Sequence, residues 1–396
     1  MNLDTDVEQY IKAHHKEDVH RLALQLRGNV NANYILRQID GLQRLRHKVP
    51  LWAKISGIQF PQHLSIEQCS SEATAIYKYE VAKRLLPDGG RFVDLTGGFG
   101  IDFYFIAHNF DQTVYVERDA ELCRLAKNNF SLLGLNDVDI HCSDASAYIT
   151  DMAHTDLVFI DPARRSDVGR KVVRISDCSP DIRSLFPTLK KKANFIMIKL
   201  SPMLDITTAI HEIPGISEVH VVGNASECKE LLIICPGSVN ETFYKNTTAR
   251  IFCHDEQASY SFFTEEEKHV KAVYATQIEA YLYDPSPTVM KSGALRLLTS
   301  WYSVKKVSTH SHLYTSDTFC ESFPGRKFRI ISARGFSKQE LSHFKNTQAN
   351  LAVRGFPDTT ENLKKRLKIK DGGDVYIFAC QDIKGKKLLI EAKKVV

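Results

Sequence analysis

The fold of this chain is decided by the run Val93-Asp94-Leu95-Thr96-Gly97-Gly98-Phe99-Gly100-Ile101-Asp102. An apolar run typical of a buried strand leads into it, and a helical pattern follows it through residues 103–108. Glycines at such a junction allow a tight turn and let a ligand approach the backbone closely, with the helix N-terminus behind it. A dinucleotide fingerprint starting at Gly98 would need a third glycine at Phe103, so NAD is not favoured. The run predicts a ligand-binding turn in an α/β sheet.

The sequence around this turn is typical of a parallel sheet buried on both faces. Candidate strands are residues 92–95, 113–116, 138–142, 157–160, 195–200, 219–222 and 231–234. Only eight residues separate the last two candidates, whereas a parallel crossover needs a dozen or more. The final strand is therefore expected to run antiparallel, as a hairpin with its neighbour.

The regions on either side of the sheet have different patterns. Helical periodicity covers 7–26 and 33–47, and short alternating strands are predicted at 242–244, 249–252 and 259–263. A proline-containing hinge follows at 284–287, and 326–396 is typical of a compact α+β unit. The predicted domains are a helical region (1–85), a catalytic domain (86–238), a small β-rich, ferredoxin-like linker domain (239–322) and a basic C-terminal domain (323–396).

Composition narrows the class of protein. With 396 residues, 43% of them hydrophobic, the chain can form two or three cores. It has neither a run of eighteen apolar residues nor a basic, then apolar, N-terminal segment, so we expect a cytoplasmic protein that does not span a membrane. Nine cysteines without a C-x-x-C pair favour reduced thiols, and no metal site is expected.

Charge is concentrated at the C-terminal end. Residues 326–396 contain 17 lysines and arginines against 7 acidic residues, although the whole chain carries only +5. Such an excess is typical of a polyanionic partner, but many solvated faces are basic for solubility alone. The charge by itself leaves both interpretations open.

The glycine run resembles the first motif of class I methyltransferases, with Asp94, Gly98 and Gly100 matching and Thr96 in place of the first glycine. This resemblance implies a Rossmann-like seven-stranded α/β sheet with the last strand antiparallel, and S-adenosyl-L-methionine as cofactor. Glu117 lies about twenty residues beyond the glycines, the spacing of an acid on a bound ribose. The implied cofactor-binding residues are Asp94, Thr96, Gly97, Gly98, Gly100, Glu117 for the ribose and Asp144 for the adenine amine. Asp94 could instead be an acid that closes the turn.

The run Asp161-Pro162-Ala163-Arg164 follows the fourth candidate strand, at the sheet edge where open α/β sheets bind ligands. It resembles the D/N-P-P-aromatic motif of amino-group methyltransferases, but the second proline and the aromatic residue are replaced. RNA methyltransferases that act on a base carbon need a cysteine after strand five, where this chain has Lys199-Leu200-Ser201-Pro202.

A third possibility leaves the acceptor atom open. Asp161, Lys199 and Glu227 are similarly disposed to the acid and lysine set of ribose 2′-O-methyltransferases, in which a desolvated lysine can take a hydroxyl proton. Lys199 could also simply pair with Asp161 at the sheet edge. The catalytic candidates are Asp161, Pro162 and Lys199.

The C-terminal stretches 350–357 and 364–373 resemble the THUMP-like domain, which follows a methyltransferase domain in a bacterial family. True THUMP domains are associated with RNA modification, so the resemblance implies RNA as partner. The RNA-binding candidates are Arg164, Arg165, Lys364, Lys365, Arg366 and Lys368, for which solvated faces are the alternative. The tripeptide Arg-Gly-Phe occurs twice, from Arg334 and from Arg354.

Three functional hypotheses follow. The leading one is an S-adenosylmethionine-dependent methyltransferase acting on RNA, either rRNA or tRNA. The second is a protein or small-molecule methyltransferase whose basic domain docks an acidic protein. The third is a module that binds the cofactor without catalysis, which the altered residues Ala163 and Arg164 would allow.

Overall fold

The computed structural model describes residues 5–61, 63–164, 175, 178–240 and 248–395. The chain forms two compact units. The first runs up to Ser217 and resumes at Leu232, and the second comprises Glu218–Leu231 and the chain from Thr248 onward. In the described ranges, no helix is both long enough and apolar enough to cross a membrane.

The first unit begins with helices. They are α1 (Thr5–His14), α2 (Val19–Gln25), α3 (Ala32–Lys48), α4 (Pro50–Ala53), α5 (His63–Gln68) and α6 (Glu72–Leu85). The single helix predicted over 7–26 is wrong, because Asp18 ends the pattern and caps α2 by accepting a hydrogen bond from Arg21 N at 2.9 Å. Trp52 of α4 is fully buried, with its ring 5.3 Å from that of Phe99. Helix α4 therefore shares a core with the glycine turn, whereas α1 and α2 pack with α3 in a separate core.

Strands and helices alternate after α6, as predicted. They are β1 (Arg91–Asp94), α7 (Ile101–Ala107), β2 (Gln112–Glu117), α8 (Ala120–Leu132), β3 (Val138–Cys142), α9 (Ala145–Asp151), β4 (Thr155–Ile160), the short β5 (Ala163–Arg164) and β6 (Cys178–Ser179), α10 (Ile182–Lys192), β7 (Ala193–Leu200) and α11 (Ile206–Glu212). β1 pairs in parallel with β2 and β4, β2 with β3, and β4 with β7. The carboxyl ends of these strands therefore meet at one edge of the sheet.

The predicted hairpin is confirmed. Four residues connect β8 (Glu218–Gly223) to β9 (Cys228–Pro236), and Asn224 N donates to the Glu227 carbonyl at 2.9 Å. Two more strands, β10 (Arg250–His254) and β11 (Ser259–Phe263), extend the sheet through a parallel pairing of β10 with β8. The strand order is β11-β10-β8-β9-β7-β4-β1-β2-β3, which makes nine strands rather than the predicted seven. The strand predicted at 242–244 lies outside the described residues.

The second unit contains a further sheet. Its elements are α12 (Thr264–His269), β12 (Tyr281–Pro285), α13 (Pro287–Ser292), α14 (Leu297–Trp301), β13 (Lys305–Lys306), β14 (Tyr314–Ser316), β15 (Gly325–Gly335), α15 (Lys338–Ser342), β16 (Asn350–Arg354), α16 (Thr360–Leu367), β17 (Val375–Gln381) and β18 (Lys387–Lys394). The strand order is β13-β14-β12-β15-β18-β17-β16. The long strand β15 pairs antiparallel with β12 and with β18, so the basic α+β region and the segment before it share one sheet.

A buried carboxylate ties these strands together. Asp284 on β12 has a side chain that is 5% exposed and that accepts hydrogen bonds from two arginines. Arg354 binds it in a bidentate manner, at 3.0 Å for both Nε and one terminal nitrogen, and Arg326 contacts the same carboxylate. Two of the C-terminal cations are therefore neutralised inside the fold.

Replacing Asp284 by asparagine is expected to lower the free energy of unfolding by about 2 kcal/mol, because two guanidinium groups lose their common carboxylate. The arginines are partly exposed, which keeps the loss below that of a fully buried pair. Urea denaturation of the full chain measures it. The matched control is Glu340→Gln, which breaks the exposed pair with Arg334 and should change stability by less than about 0.5 kcal/mol.

Candidate active site

The glycine turn has little room for side chains on one side and open space on the other. A Cβ at Gly97 would lie 2.1 Å from the Tyr115 ring, and Gly100 has φ +88 with the Phe130 ring 2.7 Å from its Cβ position. Gly98 has φ +57, but a Cβ there would meet only the Thr96 carbonyl oxygen, at 3.7 Å. The backbone at Gly98 therefore borders open space, as a close approach of a ligand requires.

Glu117, at the end of β2, holds this turn in place. Its Oε2 accepts a hydrogen bond from Gly98 N at 2.9 Å, and its Oε1 accepts one from Asp119 N at 2.9 Å. Asp119 has a different role, since it caps α8 by accepting from Glu121 N at 2.8 Å. A carboxylate has about four acceptor positions, so Glu117 retains capacity for a ligand hydroxyl. The structure places Glu117, rather than Asp119, against the glycine turn.

Asp144 follows β3 and is exposed. Its Oδ1 accepts a hydrogen bond from Ser146 N at 2.8 Å and caps α9. Its second oxygen can still accept from an amine. The assignment of Asp144 to the adenine amine stays a prediction.

Asp94 is only 1% exposed, and its Oδ1 accepts a hydrogen bond from Thr96 N at 2.9 Å. Burial raises the pKa of Asp94 well above its ordinary value, although the bond from Thr96 opposes this. This geometry is that of an acid closing the turn. A contact of Asp94 with the cofactor stays a prediction.

The raised pKa of Asp94 predicts a pH dependence. In the unfolded chain Asp94 ionises near pH 4, whereas in the folded chain it retains its proton to higher pH. The unfolded state then binds fewer protons, so this group's contribution to stability falls as pH rises above about 4. Asp94→Asn keeps the acceptor for Thr96 N and has no proton to lose. We expect the variant to gain stability relative to the unchanged chain between pH 5 and pH 8 in urea denaturation, and parallel profiles would contradict this.

Thr96 connects the glycine turn to Asp161 and Lys199, two of the catalytic candidates. Asp161 N donates to Thr96 Oγ1 at 2.7 Å, and Lys199 Nζ donates to Asp161 Oδ2 at 2.5 Å. The Asp161 side chain is 36% exposed and that of Lys199 is 13% exposed, with Pro162 buried beside them. Glu227 belongs to the second unit, where it contacts Lys229. The structure thus brings together Asp161, Pro162 and Lys199.

Three further residues, Lys78, Asp102 and Ser70, belong to this cluster. The sequence did not indicate a functional role for them. Lys78 of α6 is fully buried, and its Nζ lies 3.1 Å from Asp102 Oδ1. Asp102 Oδ2 accepts from Ser70 Oγ at 2.7 Å and lies 3.6 Å from Lys199 Nζ. Burial would raise the pKa of Asp102, but the charges of Lys78 and Lys199 and the Ser70 hydroxyl outweigh it and lower the pKa. A buried row of charges therefore runs from α6 to Asp161.

The pattern of residues along α6 could have indicated part of this cluster. Lys78 lies on the buried stripe of α6, together with Thr74, Ala75, Val81 and Ala82. A lysine on an apolar stripe must be paired when it is fully buried. The pattern does not show which acid pairs with it.

The predicted RNA-binding residues fall in both units. Arg165 lies outside the described residues, as does the side chain of Arg164, whose backbone belongs to β5. Lys364 pairs with Asp371 at 2.6 Å. Lys365 and Arg366 are exposed on α16, and Lys368 is exposed just after it.

Comparisons with known proteins agree with this architecture. Residues 281–324 match the model of a ferredoxin-like domain, and residues 325–394 match that of a THUMP domain-like family. The whole chain is 30% identical to a candidate methyltransferase from Porphyromonas gingivalis W83, with a TM-score of 0.84 and coverage of 100% of both chains. The fold and this similarity thus define a protein of the methyltransferase class. The chain belongs to the family of this Porphyromonas gingivalis protein, and it combines a methyltransferase fold with ferredoxin-like and THUMP-like C-terminal domains.

Two other solved structures are similar to part of the chain. A candidate RNA methyltransferase from Pyrococcus horikoshii is 16% identical and covers 37% of this chain and 69% of its own, with a TM-score of 0.29. An rRNA methylase from Streptococcus thermophilus is 11% identical and covers 41% of this chain and 94% of its own, with a TM-score of 0.33. No curated protein sequence matches the chain.

Proposed function

We propose that this protein transfers the methyl group of S-adenosyl-L-methionine to RNA, either rRNA or tRNA. The proposal rests on the observation that hydrogen bonds connect the glycine turn to Asp161 at one edge of the sheet. Glu117 holds the glycine turn beneath open space, and Thr96 of that turn accepts a hydrogen bond from Asp161, which pairs with Lys199. This link supports a cofactor position next to an acceptor position.

The residues present fit this cofactor. Glu117 has acceptor capacity for ribose hydroxyls, Asp144 has it for the adenine amine, and Gly98 leaves space for close contact. When bound, S-adenosylmethionine supplies an electrophilic methyl group on its sulfonium. The glycine turn, fixed by Glu117, would hold the cofactor at the sheet edge where Asp161 lies.

Asp161 is the group of this site best placed to orient the acceptor. Methyl transfer from a sulfonium is an in-line displacement, so positioning of the nucleophile matters most. Lys199 donates to Asp161 and lies near Asp102, so it acts here as a hydrogen-bond donor between two carboxylates. The second oxygen of Asp161 can accept an N–H or O–H of the acceptor and take its proton.

Two features of the second unit support RNA as the acceptor of the methyl group. Its C-terminal part matches the THUMP-like family model and carries an excess of cations. A protein or small-molecule acceptor, or cofactor binding without transfer, would be the conclusion if RNA accepts no methyl group.

Cofactor binding tests the first half of the proposal. We expect Glu117→Gln to weaken binding of S-adenosylmethionine by about 10- to 100-fold in calorimetry, because charged hydrogen bonds to the ribose and to the turn are lost. Asp119→Asn is the matched control, since asparagine caps a helix equally well, and it should change affinity by less than about 3-fold. Equal affinities of the unchanged chain and Glu117→Gln would contradict the assignment.

A further inference from the structure

The two Arg-Gly-Phe tripeptides meet in the fold. Phe336 follows β15 and Phe356 follows β16, and their ring centroids lie 5.0 Å apart in an edge-to-face arrangement. Two cations from other elements lie over these rings. The Arg366 guanidinium is 4.9 Å from the Phe336 centroid, and Lys387 Nζ is 5.8 Å from Phe336 and 5.7 Å from Phe356. We call Phe336, Phe356, Arg366 and Lys387 the aromatic-cation cluster.

Several of the C-terminal cations differ in what contacts them in the structure. Four are neutralised by carboxylates, namely Arg326 and Arg354 by Asp284, Arg334 by Glu340, and Lys364 by Asp371. Within the described part of the chain, Arg366 and Lys387 have no carboxylate within ion-pair distance, and both are exposed. Their charges are held by aromatic rings, which attract a cation without neutralising it.

This arrangement suits a phosphate backbone. A guanidinium stacked on a ring keeps its N–H edge available for two phosphate oxygens, and the ammonium beside it supplies a second positive charge. Both charges lie within 6 Å of one ring centroid, close enough to contact neighbouring phosphates of one strand. Phe356 is buried, and the Phe336 ring is contacted by Phe356, Arg366 and Lys387. Stacking of bases on these rings is therefore not expected.

We propose that the aromatic-cation cluster binds the phosphate backbone of a single RNA strand without reading its sequence. This inference rests on the proposed function for the identity of the polyanion, and it adds Lys387, which the sequence did not single out. The exposed lysines Lys384 and Lys386, in the turn before β18, extend the same positive region.

The test uses the full chain and a fluorescein-labelled oligouridylate of about 20 nucleotides, with anisotropy measured at several salt concentrations. The variant Arg366→Gln/Lys387→Gln removes two phosphate contacts. Each contact contributes about 0.7 to the salt slope on a single strand, so the slope should fall by about 1.4 and the affinity at 0.1 M salt by roughly 25-fold. The matched control, Arg334→Gln/Lys268→Gln, removes the same charge from positions paired with Glu340 and Glu265 and should weaken binding by less than about 3-fold.

Three results would overturn the inference. The cluster variant could bind as tightly as the unchanged chain, both double variants could lose affinity equally, or polyglutamate could displace the RNA as effectively at equal charge. The last result would indicate an acidic protein partner. Calorimetry with S-adenosylmethionine on the same variants separates this inference from the proposed reaction, because cofactor binding should be unchanged in both variants even if the RNA result is negative.

Discussion

Lys78→Met is expected to lower the free energy of unfolding by about 3 to 5 kcal/mol, the cost of removing one partner of a buried ion pair. Lys78 is fully buried, and its Nζ contacts Asp102 Oδ1 at 3.1 Å, Ser70 Oγ at 3.1 Å and the Thr74 carbonyl at 3.3 Å. Methionine fills a similar volume but leaves the Asp102 carboxylate without this charge. Urea denaturation of the full chain gives the change.

Two comparisons make this result specific. Arg44→Met breaks the exposed pairs with Asp40 and Glu67 and should cost less than about 1 kcal/mol. Lys78→Met/Asp102→Asn should be less destabilised than the sum of the single variants, because no buried charge is left alone. A loss below about 1 kcal/mol in Lys78→Met would show that the ion pair does not stabilise the fold.

Because the pKa of Asp102 is lowered, the contribution of the Lys78–Asp102 pair to the stability of the fold depends on pH. A carboxyl whose pKa is depressed in the folded state stabilises the fold above its ordinary pKa near 4, and this contribution is lost as pH falls through the lowered value. The stability difference between the unchanged chain and Asp102→Asn should therefore shrink as the pH falls below about 4.

Asp161→Asn is expected to reduce methyl transfer by about 10²- to 10⁴-fold while changing the affinity for S-adenosylmethionine by less than about 3-fold. Asparagine keeps the size of the side chain, and Asp161 N can still donate to Thr96, but the proton acceptor and the charge facing Lys199 are lost. Single-turnover transfer from labelled cofactor measures the rate, and calorimetry measures the affinity.

The control for Asp161→Asn is Asp151→Asn, which removes an exposed carboxylate at the end of α9. That variant should transfer the methyl group at the unchanged rate. If Asp161→Asn also transfers the methyl group at that rate, transfer does not depend on Asp161, and the assignment of Asp161 as a catalytic residue is wrong.

The sequence predicted features that depend on local pattern and chain length. The glycine turn lies between a strand and a helix as expected, and eight residues were too few for anything but a hairpin before the last predicted strand. The number of strands was wrong because short alternating segments do not show which sheet edge they join. β10 and β11 were assigned to the small domain, whereas β10 pairs with β8.

The charged cluster could not be predicted because its members are joined only by tertiary contacts. Lys78 and Asp102 lie on different helices, and nothing in either pattern indicates the other. The same limit applies to the C-terminal cations. Counting gives their total charge, but only the fold shows that Arg354 is neutralised by Asp284 while Arg366 lies over Phe336.

The most direct test of the central claim is transfer of tritium from labelled S-adenosylmethionine into total RNA of a strain that lacks this gene. We predict label in RNA with the unchanged protein and almost none with Asp161→Asn, and nucleoside digestion would then identify the methylated atom. Absence of label in RNA from a protein that still binds the cofactor would contradict RNA methylation and direct the search to protein or small-molecule acceptors.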